Sequence, residues 1–397
     1  MKTKNLGGKI VPSPKLKLVA IKFNHDPNSI ATNAMNIRKN ATEFIEVPEW
    51  KSGMADPDES MAAYAVKETT GNTITIKVQL KLDGIEKPPE PFPVKSRLKV
   101  RAVVPIKKPV PFGKTGILGT VKEREVTLKE LMKPNIFLTF ELQNTHLQSS
   151  GVGSHSVTWQ WQYQIIPPLT SPGSNPWTTF ATSKHRIFTV LEEPTGPWQQ
   201  QPYSSTNLQL PWTDVLGYSC TWAAGAKTQD DAACKVTKGI NSFPLLRYTP
   251  ATMFGWTTYM LSSFIASLKG GVIFVLNCTD CADAVTTFAN ILGCNLCEGR
   301  FSNMQTWPFL GLGGDPANAA DWVAWGWSYH EICWPGAIGA TQPVWDGCLQ
   351  LDTDTNHSDN VHTPLLACKL PFPDYKNYLV QSGSCTLASS CSRRQVA

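Results

Sequence analysis

Residues 277–293, NCTDCADAVTTFANILG, decide how the second half of the chain folds. Their apolar side chains recur at close to the 3.6-residue period of a helix, at Ala282, Val285, Phe288, Ala289 and Leu292. Acidic residues lie in the first turn, where they suit the positive end of the helix dipole, and Gly293 is a typical helix stop. The stretch therefore predicts a helix with one buried face, preceded by the strand-like run 270–276, GGVIFVL.

Two cysteines, Cys278 and Cys281, lie at the N-terminal end of this predicted helix. Backbone N–H groups and the dipole stabilise a thiolate at such a position and lower the pKa of the thiol. A thiolate within reach of an imidazole is a candidate nucleophile. Cys278 is the preferred candidate because it is nearer the helix start, and Cys281 is the alternative. The plainer interpretation, two small buried side chains that only pack, stays open.

A histidine and two aspartates follow on predicted strands. His330 lies in the aromatic, β-prone run 327–334, and residues 344–352 form a second strand-like run after a Gly/Pro loop. Asp352, at the end of the second run, is the preferred partner of His330. Asp346 is the alternative, because a tight turn between the two runs would place it opposite His330. The acid would hold the imidazole tautomer and stabilise the imidazolium.

These motifs resemble the transglutaminase-like superfamily. Cys-x-Asp-x-Ala and a later Leu-Gly within 278–293, the histidine strand, and Asp-Gly-x-x-x-Leu-Asp-Thr at 346–353 occur in the order of that family. The resemblance implies a papain-like α+β fold and thiol-dependent acyl transfer on protein or peptide amides, as in a cysteine peptidase, deamidase or transglutaminase. It also implies Cys278 as nucleophile, His330 as general acid and base, and Asp352 as the partner of His330.

Two other functions compete with acyl transfer. Cys278, Cys281, Cys294 and Cys297 form a Cys-x2-Cys-x12-Cys-x2-Cys pattern, which is similar to a zinc ribbon. A continuous helix would place Cys281 and Cys294 about 20 Å apart at about 1.5 Å per residue, which argues against one shared zinc ion. The other alternative is a catalytically inactive interaction or structural protein with a β-sandwich binding domain. No cofactor motif is present, so neither a cofactor nor a metal is expected.

The first half of the chain predicts an all-β domain. Its strand-like runs alternate apolar and polar residues between turn-rich segments: Thr73–Leu82, Arg97–Ile106, Asn135–Leu142, Ser156–Ile165 and His185–Leu191. Such strands indicate a sandwich of immunoglobulin-like type, used as a scaffold or binding module. The predicted organisation is an extended basic N-terminal arm (1–60), the β-sandwich (61–200), a transglutaminase-like catalytic domain (201–370) and a mobile C-terminal tail (371–397).

Charge is unevenly distributed along the chain. Residues 1–150 contain 24 Lys/Arg and 15 Asp/Glu, a balance of +9, whereas the remainder contains 12 and 16, a balance of −4. The basic excess would attract an anionic partner, but the lysines are spread out and lack the interleaved aromatic residues of a nucleic-acid platform. The expected partner is therefore a protein or peptide substrate and not a nucleic acid.

Cysteine use and targeting signals set expectations for the compartment. No apolar run of about 18 residues predicts a membrane span, and the first 15 residues have no apolar core of a signal peptide. Cytoplasmic synthesis is expected, with export by a non-classical route left open. All 11 cysteines follow residue 219, and an odd count without a signal peptide predicts a mainly reduced chain.

Overall fold

The computed structural model divides the chain into two compact units. It describes residues 3–4, 10–11, 15–26, 32–69, 73–83, 97–105, 116–145, 147, 150–166, 175–194, 210–357 and 359–397. The N-terminal unit comprises residues 1–35, 45–147 and 155–187, and the C-terminal unit comprises residues 36–44, 148–154 and 188–397. The domain boundary predicted at residues 200/201 lies outside the described residues.

The N-terminal unit is built mainly from antiparallel strands. In chain order these are β1 (Thr3–Lys4), β2 (Ile10–Val11), β3 (Lys15–Lys22), β4 (Trp50–Lys51), β5 (Met61–Ala65), β6 (Thr75–Asp83), β7 (Arg97–Val103), β8 (Val121–Thr127), β9 (Leu138–Glu141), β10 (Gly153–Ile165) and β11 (Thr178–Val190). Two short helices accompany them, α1 (Val66–Thr69) and α2 (Leu128–Leu131). One larger sheet has the order β5-β11-β10-β7-β8, and the other has the order β4-β3-β6-β9.

The alternation of residues along β10 explains how this unit buries its core. Trp159 and Trp161 are fully buried within one hydrophobic cluster drawn from both larger sheets, while the residues between them are partly exposed. The indole N–H of Trp159 donates to the Gly119 carbonyl at 3.0 Å, and that of Trp161 donates to the Ser183 hydroxyl at 3.0 Å. Both large aromatic rings are thus buried without leaving a polar atom unpaired, which burial requires.

Part of the segment expected to be an N-terminal arm belongs to a β-sheet. Residues 15–22 form β3, which pairs antiparallel with β6 inside the four-stranded sheet. The physical reason is the alternation in KLKLVAIK, where Leu16 and Leu18 are buried while the lysines between them face outward. This stretch therefore belongs to a sheet of the N-terminal unit and not to an extended arm.

The C-terminal unit combines helices with several sheets. Its helices are α3 (Thr213–Trp222), α4 (Gln229–Asn241), α5 (Leu261–Gly270), α6 (Cys278–Asn290) and α7 (Phe372–Leu379). Its strands are β12 (Leu246–Tyr248), β13 (Thr258–Tyr259), β14 (Phe274–Leu276), β15 (Cys297–Thr306), β16 (Phe309–Gly311), β17 (Trp322–Val323), β18 (Gly326–Trp334), β19 (Pro343–Asp352), β20 (Pro364–Pro371), β21 (Val380–Leu387) and β22 (Gln395–Val396). The main sheet has the order β17-β16-β19-β18-β15-β21, and β20 pairs with β19.

Helix α6 is the centre of this unit and confirms the helix predicted over 277–293. Each of its residues is buried, because α4 packs against it on one side and strands β18 and β19 on another. The short strand β14 pairs parallel with β12 and leads directly into α6. Gly293 adopts a φ of 90° just after the helix, where the backbone of Glu192 leaves no room for a Cβ atom. The sequence pattern thus predicted both ends of the helix.

The predicted mobile tail is part of the folded unit, so that prediction was wrong. Residues 372–387 form α7 and β21, and Phe372, Tyr375 and Leu379 are buried in the core beneath the main sheet. Their spacing of three and four residues is the apolar face of a helix. The Ser/Cys-rich composition of the last residues concealed this pattern.

Two disulfide bonds join four of the 11 cysteines, so the chain that was expected to be mainly reduced is not wholly reduced. Cys234 is bonded to Cys368, and Cys297 is bonded to Cys391. The bonded partners are 134 and 94 residues apart in the chain, and pairing over such separations cannot be read from cysteine spacing. The other seven cysteines are free and buried.

The chain as a whole is mostly β-sheet, arranged in several sheets, with several helices between them. Among the described residues, the long helices belong to the C-terminal unit, and the N-terminal unit contributes strands and short helices. Within the described ranges, no helix combines the length and apolar character needed to cross a bilayer.

Candidate active site

The start of α6 holds its first cysteine in a fixed position. The Asn277 side chain accepts a hydrogen bond from the Asp280 N–H at 3.0 Å, and the Asp280 carboxylate accepts one from the Asn277 N–H at 3.2 Å. This reciprocal pair is a capping box, which stabilises the first turn of a helix. Cys278 is the first residue of that turn and is 7% exposed. Its thiol therefore lies at the positive end of the dipole of a rigid, buried helix.

Asp280 has a structural task beyond the capping box. Its carboxylate also accepts hydrogen bonds from the backbone N–H groups of Met253, Phe254 and Gly255, at 2.9, 2.7 and 2.7 Å. A Cβ atom at Gly255 would collide with the Asp283 carboxylate, so only glycine fits where this loop crosses α6. The buried acid thus joins the 253–255 loop to the helix that carries Cys278.

His330 lies in β18, opposite Phe301 of β15. Its side chain is 1% exposed, and its Nε2 atom lies 2.9 Å from Asp346 Oδ2. The Trp327 ring stacks on the imidazole with ring centroids 4.7 Å apart and an angle of 15° between the planes. Phe301 contacts the imidazole edge-on at 5.6 Å. Two aromatic side chains and one carboxylate therefore hold the ring in one orientation.

Both carboxylate oxygens of Asp346 accept hydrogen bonds. Its Oδ2 atom also accepts a hydrogen bond from the Tyr375 hydroxyl at 2.6 Å, and its Oδ1 atom accepts one from the Cys348 N–H at 2.8 Å. Three donors satisfy a buried carboxylate that would otherwise be costly to remove from water. Tyr375 belongs to α7, so the segment predicted to be a tail completes the surroundings of His330.

The electrostatics of the group favour a charged imidazole. Burial by itself lowers the pKa of His330, but the Asp346 carboxylate and the Cys278 thiol together raise that pKa to about 10. His330 Nδ1 is buried and makes no hydrogen bond of regular geometry to any residue that the structure describes. Cys278 lies near enough to act on the ring through its charge and a weaker hydrogen bond. The structure therefore brings Cys278, His330 and Asp346 together.

Asp352, the preferred partner in the sequence prediction, lies elsewhere. Its Oδ2 atom is 2.9 Å from His362 Nδ1, and its Oδ1 atom accepts a hydrogen bond from the Thr363 N–H at 2.9 Å. Asp352 follows Asp346 by six residues in β19, which is about 20 Å at about 3.3 Å per residue. The expectation that Asp352 meets His330 is corrected in favour of the alternative, Asp346.

Cys281, the alternative nucleophile, has a different environment. Burial raises the pKa of its thiol to about 11, although a hydrogen bond with the Cys348 thiol acts in the opposite direction. Two neighbouring acids, Asp280 and Asp346, disfavour a second negative charge there. Cys281 therefore stays protonated at neutral pH and packs as a small apolar side chain.

The zinc alternative is contradicted by the positions of its four cysteines. Cys297 is bonded to Cys391, and the Cys294 thiol donates to the Gln229 carbonyl at 3.4 Å. Cys278 and Cys281 lie at the other end of α6, among the His330 and Cys348 side chains. In the described ranges no three His, Cys, Asp or Glu side chains are arranged to hold a metal ion.

Comparisons with known proteins add little to this geometry. No protein-family model matches the chain, and no curated protein matches it. Among solved structures, the chain is similar to the crystal structure of red sea bream transglutaminase, with 12% sequence identity and a TM-score of 0.32. That match covers 76% of this chain and 51% of the red sea bream protein, so the chain spans about half the length of that transglutaminase. At this TM-score, the similarity gives no argument about the site.

Proposed function

We propose that the C-terminal unit is a transglutaminase-like, papain-like domain that performs thiol-dependent acyl transfer on protein or peptide amides. The observation that supports this most directly is the contact series from Cys278 to His330 to Asp346 at the start of a buried helix. Nucleophile, base and orienting acid in contact are the geometric signature of covalent catalysis by a thiol. The N-terminal unit, as an immunoglobulin-like sandwich, would serve as scaffold or binding module.

In the proposed mechanism Cys278 is the nucleophile and His330 moves the proton. The Cys278 thiolate attacks the amide carbonyl carbon and forms a C–S bond. The His330 imidazolium then donates its proton to the departing amine as the C–N bond breaks, which leaves a thioester. Water or a second amine attacks the thioester, gives its proton to His330 and releases the Cys278 thiolate. Water gives hydrolysis or deamidation, and an amine gives cross-linking.

Two further groups would stabilise charge in this mechanism. Asp346 would stabilise the imidazolium and fix which ring nitrogen faces Cys278, because it occupies Nε2. The backbone N–H of Cys278 is at the first position of α6 and has no acceptor within the helix. Such an N–H group is placed to donate to the oxyanion that forms on the substrate carbonyl.

The first test is selective labelling of the thiols. Limiting iodoacetamide at neutral pH should alkylate Cys278 much faster than the other six free cysteines, because Cys278 adjoins the His330 imidazole. Peptide mapping by mass spectrometry identifies the labelled residue. Cys278→Ala should remove the fast phase, and the matched control Cys281→Ala should retain it.

The second test is turnover on amide substrates. Wild-type protein should either release ammonia or peptides from a mixed protein substrate, or incorporate a fluorescent primary amine into it. Cys278→Ala should abolish every one of these activities. Unchanged turnover in a Cys278→Ala, Cys281→Ala double variant would refute the proposal.

A further inference from the structure

Arg394 occupies a buried acidic cluster beside the candidate site. Its Nη1 atom donates to Asp283 Oδ1 at 2.7 Å, and its Nη2 atom donates to Glu331 Oε1 at 2.7 Å. Nη1 also lies 3.4 Å from Glu298 Oε2, and Nε donates to the Trp256 carbonyl at 3.1 Å. The guanidinium is therefore in contact with acids from three elements, α6, β15 and β18.

Arg394 contacts all three of these acids. Asp283, Glu298 and Glu331 are all buried. Of the three, Glu331 also pairs with Arg300, whose side chain is 46% exposed. Burial raises the pKa of Asp283 to about 7, although Arg394 opposes that rise. Removing one partner of a buried charged group is strongly unfavourable because the remaining charge is uncompensated.

The cluster adjoins the reactive residues on both sides. Glu331 follows His330 in β18, and its Oε2 atom accepts a hydrogen bond from the Thr279 hydroxyl at 2.8 Å. Thr279 follows Cys278 in α6, and Asp283 lies one turn further along the same helix. The guanidinium thus connects β18, one residue from His330, with α6, five residues from Cys278, and Glu331 in turn contacts the residue next to Cys278.

We propose that Arg394 is a positioning residue that holds α6 against β18 and so fixes the Cys278 thiol beside the His330 ring. This inference deepens the proposed acyl-transfer function and rests on it for its biological meaning. The planar, forked guanidinium suits the task because it bonds two carboxylates at once in a fixed geometry.

The segment that carries Arg394 is anchored on both sides. Ser392 exchanges backbone hydrogen bonds with Glu298, at 2.8 and 3.1 Å, and Cys391 is bonded to Cys297. After Arg394, β22 pairs parallel with β13, and Val396 is fully buried. A side chain held between two such anchors can fix the positions of other elements, whereas one on a loose segment could not.

The test compares variants at two neighbouring arginines. Arg394→Gln and Arg394→Lys change the side chain that contacts the three acids. Arg393→Gln is the matched control, because the Arg393 side chain donates instead to the Leu296 carbonyl and the Asn295 side chain. The readout is the rate of Cys278 alkylation by iodoacetamide as a function of pH, with circular dichroism to verify folding. This rate reports the thiol–imidazole contact without assuming any substrate.

The expected result is slower alkylation in folded protein. Arg394→Gln should slow the reaction at Cys278 at least about tenfold and alter its pH profile, since small misplacements of reacting groups cost up to about 100-fold. Arg394→Lys keeps the positive charge but not the fork, so it should fold and show an intermediate rate. A low, non-denaturing concentration of guanidinium should restore part of the rate in Arg394→Ala.

Different outcomes would overturn the positioning role of Arg394 and the proposed acyl transfer. Wild-type rates and pH profile in folded Arg394→Gln overturn the positioning role. If Arg394→Gln does not fold, a wild-type rate and profile in Arg394→Lys overturn it instead. If the Arg394 variants lose fast labelling of Cys278 but the wild-type protein turns over no amide substrate, the positioning role of Arg394 is supported and acyl transfer is rejected.

Discussion

Replacing Asp346 by Asn separates the geometry seen in the structure from the partner expected from the sequence. Asn is isosteric and can still accept the Cys348 N–H, but it carries no charge to stabilise the imidazolium. Its amide nitrogen cannot accept the bonds that His330 and Tyr375 now make with Oδ2. Asp352→Asn is the matched control, because Asp352 is hydrogen-bonded to His362 and not to His330.

The magnitude follows from the pKa of His330. That pKa is raised from 6.5 to about 10, and at 1.36 kcal/mol per pKa unit the shift corresponds to about 5 kcal/mol in favour of the charged ring. If Asp346→Asn returns the pKa to 6.5, the charged fraction of His330 at pH 8 falls from about 0.99 to about 0.03. The fraction of molecules in which a charged His330 ring can stabilise a Cys278 thiolate then falls about 30-fold. At pH 5.5 both proteins hold a charged ring, so the difference should shrink below about twofold.

The assay is the pseudo-first-order rate of Cys278 alkylation at several pH values. Asp346→Asn should lag the wild-type protein about 30-fold at pH 8 and recover toward it at pH 5.5, whereas Asp352→Asn should follow the wild-type curve. A slow Asp352→Asn variant with a normal Asp346→Asn variant would refute this reasoning. Equal deficits of Asp346→Asn at both pH values would show that the carboxylate positions the ring without charging it.

Three other residues give independent predictions. Tyr375→Phe removes a 2.6 Å hydrogen bond to Asp346 and should lower the free energy of unfolding in urea by about 1–3 kcal/mol. His185 is buried and neutral, with a pKa lowered from 6.5 to about 3 by burial, so its contribution to stability is present above pH 6.5 and is lost as pH falls toward 3. Between pH 7 and pH 5 the wild-type protein should lose about 2 kcal/mol more stability in urea unfolding than His185→Gln, because only the wild-type protein carries this contribution. Asp280→Ala frees the amides of residues 253–255 and should speed their hydrogen exchange more than tenfold.

The sequence predicted the parts of the site that depend on local patterns. The 3.6-residue period, the acids of the first turn and the final glycine placed α6, and with it Cys278. The aromatic, β-prone run around His330 likewise predicted β18, which spans residues 326–334. Each of these signals arises from neighbouring residues, so each can be recognised without tertiary structure.

The choice between Asp346 and Asp352 depended on strand register instead. The two aspartates are an even number of residues apart in β19, so alternation gives both the same face of the sheet. What selects Asp346 is where β19 crosses β18, with Trp345 opposite Cys333. The loop between the strands sets that register, and its turn geometry was not apparent from the sequence.

Tyr375 and Arg394 could not be found by local reasoning at all. Tyr375 lies 29 residues from Asp346, and Arg394 lies 63 residues from Glu331 and 111 from Asp283. Their segment combines a short amphipathic helix with a Ser/Cys-rich stretch, and the second feature dominated the interpretation. Long-range side-chain contacts leave no periodic signal in a single sequence.

The fold of the last 27 residues matters for anyone who expresses part of this protein. A recombinant fragment trimmed to residues 201–370, the limits suggested by composition, would end within β20 and discard α7, β21 and β22. Cys297 would lose its disulfide partner, Asp346 would lose the Tyr375 hydroxyl, and Asp283 would lose the Arg394 guanidinium. The nucleophile, imidazole and carboxylate would all remain in the polypeptide. If that fragment were inactive, the cause would be the truncation, and the result would say nothing about the chemistry of Cys278.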